Sequence, residues 1–274
     1  VIDWSTFDIG ETRATCPSCG RSPRDRTLGV RVKPDGRGVA HCFRCEYVET
    51  SGGERRTHAP SAKPASRAPE RRETLSPWGC ELWNACRPVS GPARAYLEAR
   101  SCAIPSAQGH LRWHPNLAHR PSGHAGPALV AMVTDVLTGA PLTLHRTWIR
   151  PDGRKADVAP PRMLLGGHRK AGGVVRLWPD DELVAGLGVA EGIETALTLA
   201  HAHRPVWAAI DAGNLAALPV VPGIESLVVA ADHDPAGISA ATACATRWKA
   251  AGRAVRVVMP EAPGMDLNDV ARAA

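Results

Sequence analysis

The sequence predicts an α/β protein in three parts: a small β ribbon organised around cysteines, a mixed α+β basic middle, and a C-terminal doubly wound parallel sheet. Three observations predict it. Two Cys-x-x-Cys pairs fall within the first 50 residues, a stretch nearly free of large apolar side chains follows, and over the last ninety residues apolar strand-like runs alternate with helically spaced ones. The boundaries expected from these shifts are 1–50 for the ribbon, 51–75 for a flexible basic linker, 76–182 for the middle and 183–274 for the sheet.

In the ribbon, Cys16-Pro-Ser-Cys19-Gly20 and Cys42-Phe-Arg-Cys45 each set two thiolates on a tight turn. Four sulfurs so arranged form a closed tetrahedral site of the kind that holds structural Zn²⁺. The segment between them, Leu28 to Cys42, reads as a hairpin turning at Pro34-Asp35-Gly36. His41 and His58 are bystanders once four cysteines satisfy the metal. Arg21, Arg24, Arg26, Arg31, Lys33, Arg37 and Arg44 give the ribbon a basic surface, and Phe43 and Tyr47 are its candidates for base stacking. The remaining cysteines, Cys80, Cys86, Cys102 and Cys244, are scattered rather than paired. With no charged-then-apolar leader at Val1-Ile2-Asp3-Trp4, paired spacing points to metal rather than disulfides, and a cytoplasmic location is expected.

Residues 51–75, rich in Ser, Pro, Ala and Arg, cannot bury a core and read as a linker. Trp78, Leu82, Trp83, Tyr96 and Leu97 then return at helical spacings. Ala128–Val133 and Pro141–Ile149 read as strands around a turn at Thr138-Gly139, and Pro151-Asp152-Gly153 closes a second hairpin. Further on, 186–190, 205–210, 226–231 and 254–259 are strands. Residues 192–203 and 235–250 are helices, the second with Pro at its start, where the missing N–H costs nothing.

Charge divides the same way. The net charge is +6, but residues 1–182 carry 27 Lys and Arg against 18 Asp and Glu, whereas 183–274 carry 6 against 9. A basic front with an acidic back suits a protein that holds a polyanion with one part and metal ions with the other.

The acidic residues sit at strand ends. Glu191 follows the first strand of the last segment, and Asp232-His233-Asp234-Pro235-Ala236-Gly237 follows the third. Ligands of open α/β sheets bind outside the carboxyl ends of strands, so Glu191, Asp232 and Asp234 are expected to converge there. Three carboxylates brought together repel unless divalent cations lie between them, and hard oxygen ligands favour Mg²⁺ or Mn²⁺. Glu194, a turn further on, is expected to stand behind the site or be exposed, His233 to pack, and Asp211 to border the site. Asp266 and Asp269 are either metal neighbours or helix caps.

Glu-Gly after one strand and Asp-x-Asp-x-x-Gly after a later one resemble the Toprim domain. Met265-Asp266-Leu267-Asn268-Asp269 resembles the acidic tail of phage and plasmid Toprim proteins. The phrases at 82–105, 111–115 and 142–166, taken with the cysteine ribbon, resemble DnaG-type Toprim primases, in particular the standalone primases of phages, prophages and plasmids. The resemblance implies a DNA primase that makes short RNA primers on single-stranded DNA from nucleoside triphosphates. It also implies a ribbon that selects the template start and a basic middle facing the Toprim site across a cleft. Cations for triphosphate and template are then Arg146 and Arg162 first, with Arg150, Arg154, Lys155, Arg169 and Lys170. The glycine-rich tract 166–173 is either a mobile phosphate-contacting loop or a turn.

Two other classes stay open: a metal-dependent Toprim nuclease, and a non-catalytic DNA-binding replication module. A topoisomerase is disfavoured because the only tyrosines are Tyr47 and Tyr96, in the ribbon and an early helix. No P-loop motif occurs, so helicase activity is expected from a separate partner.

Overall fold

The computed structural model describes residues 2–20, 25–45, 47–51 and 71–273. Arg21, Arg24, His58 and most of the 51–75 segment lie outside the described residues. The chain divides into two compact units, Val1–Ser66 and Arg67–Ala274.

The first unit is a four-stranded antiparallel sheet in the order β1 (Gly10–Ala14), β2 (Leu28–Val32), β3 (Gly38–Cys42), β4 (Val48–Ser51). The expected hairpin is β2–β3, with Gly36 at φ 79° in its turn. Alternate residues Leu28, Val30 and Val32 face Ala40 and Cys42 in a core that Ile2 and Cys16 complete. So few apolar side chains make a marginal core, which is where a structural metal contributes most.

The second unit opens with two helices, α1 (Pro77–Ala85) and α2 (Gly91–Ala99), separated by β5 (Arg87–Pro88). Ser76 caps α1 by accepting from Gly79 N at 3.3 Å, with Pro77 in the first turn. Next come β6 (Leu111–His119), β7 (His124–Asp135), β8 (Pro141–Trp148), β9 (Arg162–Leu164) and β10 (Gly173–Arg176). The expected turn joins β7 to β8: Gly139 takes φ 72° and Asp135 Oδ1 accepts from Leu137 N and Thr138 N. The second expected hairpin is a single bridge, Ile149 to Lys155, around Gly153 at φ 79°.

The C-terminal segment runs β11 (Gly186–Ala190), α3 (Ile193–Leu199), β12 (Val206–Ala208), α4 (Ala212–Ala217), β13 (Ser226–Ala230), α5 (Pro235–Ala250), β14 (Ala254–Val258) and α6 (Leu267–Ala273). Strands β14, β13, β11 and β12 are parallel neighbours, with α3 on one face and α4 and α5 on the other. The sheet does not stop there. β12 pairs antiparallel with β10, β10 with β7, and β7 with β6 and β8, so one sheet crosses from parallel to antiparallel.

This sheet has two buried faces. Leu129, Ala131 and Val133 of β7 pack with Tyr96, Leu97, Ile193 and Leu197 on the side of α2 and α3. Val130 and Met132 pack with Leu82, Leu144 and Trp148 on the side of α1. That is why β7 reads as a continuous apolar run rather than an alternating one. Among the described residues, no helix is long and apolar enough to cross a membrane.

Candidate functional site

The four ribbon cysteines converge. Cys16 Sγ lies 3.7 Å from Cys45 Sγ and Cys19 Sγ lies 3.5 Å from Cys42 Sγ. A tetrahedron with metal–sulfur bonds of about 2.3 Å has edges of about 3.8 Å. All four sulfurs lie within 4.8 Å of one another, the only such set of three or more potential ligands among the described residues. Backbone N–H groups of Ser18 and Arg44 donate to Cys16 and Cys42 sulfurs, each at 3.4 Å, which fixes the thiolates' orientation. Gly20 is required here: a Cβ on it would sit 2.5 Å from Cys16 O and break the knuckle.

The crowding is electrostatic as well. The Cys45 thiol hydrogen bond and burial push Cys19 up to about 12. Burial opposes ionisation of Cys42 too, but N–H groups of Arg44 and Cys45 outweigh it and bring it down to about 6. Four thiolates cannot coexist without a cation between them, and this geometry fits zinc.

Beside the cysteines, β1, β2 and β3 form a concavity of about 650 Å³ lined by Arg13, Arg31, Lys33, His41 and Phe43. Phe43 is 64% exposed, with the Arg13 guanidinium 4.3 Å from its ring centre. Tyr47 is different: it packs on the ribbon core and its hydroxyl donates to Glu49.

At the other site, Glu191 stands one residue beyond β11 and Asp232 two beyond β13, and Asp234 caps α5 by accepting from Gly237 N at 2.7 Å. Parallel register aligns Ala190 with Ala230, so the two strand ends finish side by side. Gly237 is the second required glycine, because a Cβ there would meet Asp232 O at 2.5 Å and displace that aspartate.

Burial, then the charges of Asp232, Asp234 and Asp211, raise Glu191 to about 7. Burial, then Asp266, Asp234 and Asp269, raise Asp232 to about 6, and Arg162 is the cation that opposes both shifts. Asp232 Oδ1 is buried with no hydrogen-bond partner among the described residues. An orphaned carboxylate oxygen among mutually repelling acids fits a divalent cation with oxygen ligands. These carboxylates are more widely spaced than the cysteines.

The neighbouring acids have their own tasks. Asp211 caps α4, accepting from Asn214 N at 2.8 Å, and pairs with Lys170 at 2.9 Å. Asp266 and Asp269 form a reciprocal cap at the start of α6: Asp269 N donates to Asp266 Oδ1 at 2.9 Å and Asp266 N to Asp269 Oδ2 at 3.3 Å. His233 Nδ1 lies 3.0 Å from Pro260 O and its backbone bonds Met265 and Gly264, which ties the tail to the Asp232 loop.

Of the two placements expected for Glu194, the structure has the first: it is buried behind the site, accepting from Tyr96 Oη at 2.8 Å and lying 3.5 Å from Lys155 Nζ. Burial works against its charge, but Lys155 and the Tyr96 hydroxyl hold it down at about 2. Lys155 is thereby engaged as a counter-ion to Glu194 while part of its side chain stays exposed. Arg150 pairs with Asp152 and Asp157, Arg154 with Asp152, and Arg169 with Glu73 and Asp135.

Strand alternation separates the two arginines put first. Arg162 shares its face of β9 with Leu164, which packs on the α2–α3 side, and its charge bears on Glu191. Arg146 shares its face of β8 with Leu144 and Trp148, on the α1 side. The glycine tract is a clamped loop: Asn214 accepts from Gly172 N and donates to Lys170 O and Gly173 O.

Sequence reasoning missed Tyr96, and it missed Asn268, which is fully buried and donates to Arg100 O at 2.6 Å and Thr198 Oγ1 at 3.0 Å, docking α6 on α3. The unpaired Asn between the two tail aspartates was the available signal.

Residues 186–274 match the family model of the Toprim domain. The C-terminal part of the chain is a Toprim domain. Residues 74–177 match the model of a domain of unknown function, DUF7146. A search of curated proteins finds no match. Among solved structures, the chain is similar to the Aquifex aeolicus primase with its zinc-binding and RNA polymerase domains, at 13% identity, covering 99% of this chain and 80% of that one, TM-score 0.47. It is similar to the primase fragment of the bacteriophage T7 primase-helicase protein at 19% identity, covering 94% and 92%, TM-score 0.41. It is also similar to a DNA primase domain from Pseudomonas aeruginosa at 15% identity, covering 73% and 74%, TM-score 0.45.

Proposed function

We propose that this chain is a DNA primase, synthesising short RNA primers on single-stranded DNA by two-metal nucleotidyl transfer from nucleoside triphosphates. One observation carries the reading: Glu191 and the Asp232/Asp234 pair meet at adjacent strand ends of a Toprim sheet, with an orphaned carboxylate oxygen and Arg162 as the opposing cation. The four-cysteine ribbon and the primase-like phrases of the middle segment support it.

In the reaction, the 3′-hydroxyl of one nucleotide attacks the α-phosphate of the next; the new P–O bond forms as the bond to pyrophosphate breaks. Glu191, Asp232 and Asp234 would hold Mg²⁺ or Mn²⁺, which supplies acidification of the attacking hydroxyl and neutralisation of the leaving oxygens. Arg162, whose charge bears on both Glu191 and Asp232, would hold phosphate charge beside them. Phosphoryl transfer depends on positioning and electrostatics, which a fixed carboxylate frame with one facing arginine provides. Template reading falls to the ribbon's basic face around Phe43, and unwinding to a separate replicative helicase.

The test is incubation with single-stranded DNA, labelled ATP, the other three nucleotides and Mg²⁺ or Mn²⁺, beside an Asp232→Ala/Asp234→Ala control. Labelled oligomers from the intact chain alone support the reading. Triphosphate-independent DNA cutting would replace it with a nuclease, and metal-independent binding without turnover with a replication module.

A further inference from the structure

On the α1 side of the sheet, away from the Toprim carboxylates, lies a concavity of about 540 Å³ to which Arg72, Trp78, Arg120, Arg146, Gly166 and Gly167 contribute. Among the described residues, no acidic side chain lines it. Among the described residues, Arg72, Arg120 and Arg146 form no ion pair, whereas Arg150, Arg154, Arg169 and Arg176 all do. Three unpaired guanidiniums around one hollow repel each other unless an anion joins them.

Arg146 is the clearest case. Its Nη2 donates to Leu164 O at 3.0 Å and its guanidinium lies 5.5 Å from the Trp148 ring centre, yet its Nε is buried without a partner. Burial and the nearby charge of Arg120 both disfavour its protonated form. A half-satisfied guanidinium with its Nε buried, facing like charge, is a cost to the fold that a bound phosphate removes.

The wall is rigid. His168 bridges Gly166 O, 2.8 Å from Nδ1, and Ser76 N, 3.1 Å from Nε2, which locks the glycine loop to the start of α1. Arg72 N donates to Gly167 O and Arg169 N to Arg72 O, which fixes Arg72 on the rim. A Cβ on Gly166 or Gly167 would meet nothing within 4 Å, so both present bare backbone to open space. Trp78 is 46% exposed at the same mouth, a large apolar ring held in water. Cations beside an exposed aromatic are the combination that binds single strands: phosphates on the guanidiniums, a base on the ring.

We propose that this concavity is a second single-stranded DNA site, on the face of the sheet opposite the catalytic carboxylates, giving a binding role to the segment matched by the model of unknown function. It rests on the polynucleotide reading above.

The experiment is anisotropy titration of the full chain with fluorescent oligo-dT at several salt concentrations, using the exposed-residue variants Arg72→Ser/Arg120→Ser and Trp78→Ala, with folding checked by circular dichroism. The arginine pair should weaken binding at least tenfold at about 0.1 M salt and lower the salt slope by about 1.4, at about 0.7 per phosphate contact. Trp78→Ala should weaken binding about tenfold with an unchanged slope, the signature of a lost base stack. Iodo-deoxyuridine photo-crosslinking should label Trp78 or its neighbours. Unchanged affinity and slope in both variants would overturn the proposal. So would equal competition by inorganic phosphate, which marks a small-anion site, or equal binding of duplex. Primer synthesis is measured in parallel: primers without a slope change sink this site alone, whereas a slope change without primers sinks the primase reading and leaves the site standing.

Discussion

The ribbon and the Toprim site are both acid-rich in the chemist's sense, four thiols in one and a set of carboxylates in the other, yet they are built on opposite plans. In the ribbon the ligand atoms already stand at coordination distance, oriented by backbone N–H groups, with Cys16 and Cys42 buried. In the Toprim site the carboxylates are further apart, caps and ion pairs occupy several of them, and Asp232 and Glu191 are held well above the usual carboxylate range. The difference is the one expected between a closed structural site and an open one that, on the proposed function, admits and releases ligands.

The largest effect should come from the closed site. Cys16→Ser/Cys42→Ser, or a strong chelator, should remove one zinc per chain and unfold the ribbon, because metal affinity of about 10–16 kcal/mol is folding energy in such units. Zinc analysis with limited proteolysis checks it; a protease-resistant ribbon after chelation would erase the contrast. Next, Asp232→Ala/Asp234→Ala should lower primer synthesis about a thousandfold, the several kcal/mol that metal positioning supplies, while zinc content stays the same. Loss of zinc in that variant would show the two sites to be less independent than drawn.

The third tests Glu194, the buried acid of the Toprim region that Lys155 faces. Lys155→Met leaves Glu194 buried without its counter-ion and should destabilise the second unit by about 3–5 kcal/mol, read by urea denaturation. The double variant Lys155→Met/Glu194→Met should recover most of that loss. The smallest effect is on pH dependence without divalent metal. Glu191 and Asp232 bind protons more tightly folded than unfolded, so they favour the fold at low pH, and that contribution is lost as pH rises through about 6 to 7. The melting temperature should fall from pH 5 to pH 8, and Mg²⁺ should restore more of it at pH 8.

Much of this was legible. Cysteine spacing picked out the four sulfurs that converge, and the apolar run 226–231 reads as a strand that delivers Asp232 to its end. The first and last ribbon strands were not legible: Gly10–Ala14 is almost wholly exposed and has no apolar alternation to reveal it. The Tyr96–Glu194–Lys155 cluster joins residues 39 to 98 positions apart that no local pattern connects. The face that Arg146 takes follows from the pairing of β8 with β7 and β9, which charge alone does not reveal.

The continuity of the sheet at β10 and β12 bears on how the chain can be taken apart. Only Val175 with Ala208 and Arg176 with Trp207 carry the paired register across that seam. An excised piece ending at residue 182 would expose the whole flank of β10, whose four residues are all buried in the intact chain, and its complement would bare β12. Two sticky flanks of that kind template aggregation. Fragments cut at the seam should be insoluble singly and soluble when co-expressed, whereas a cut within 52–66 leaves both sheets whole.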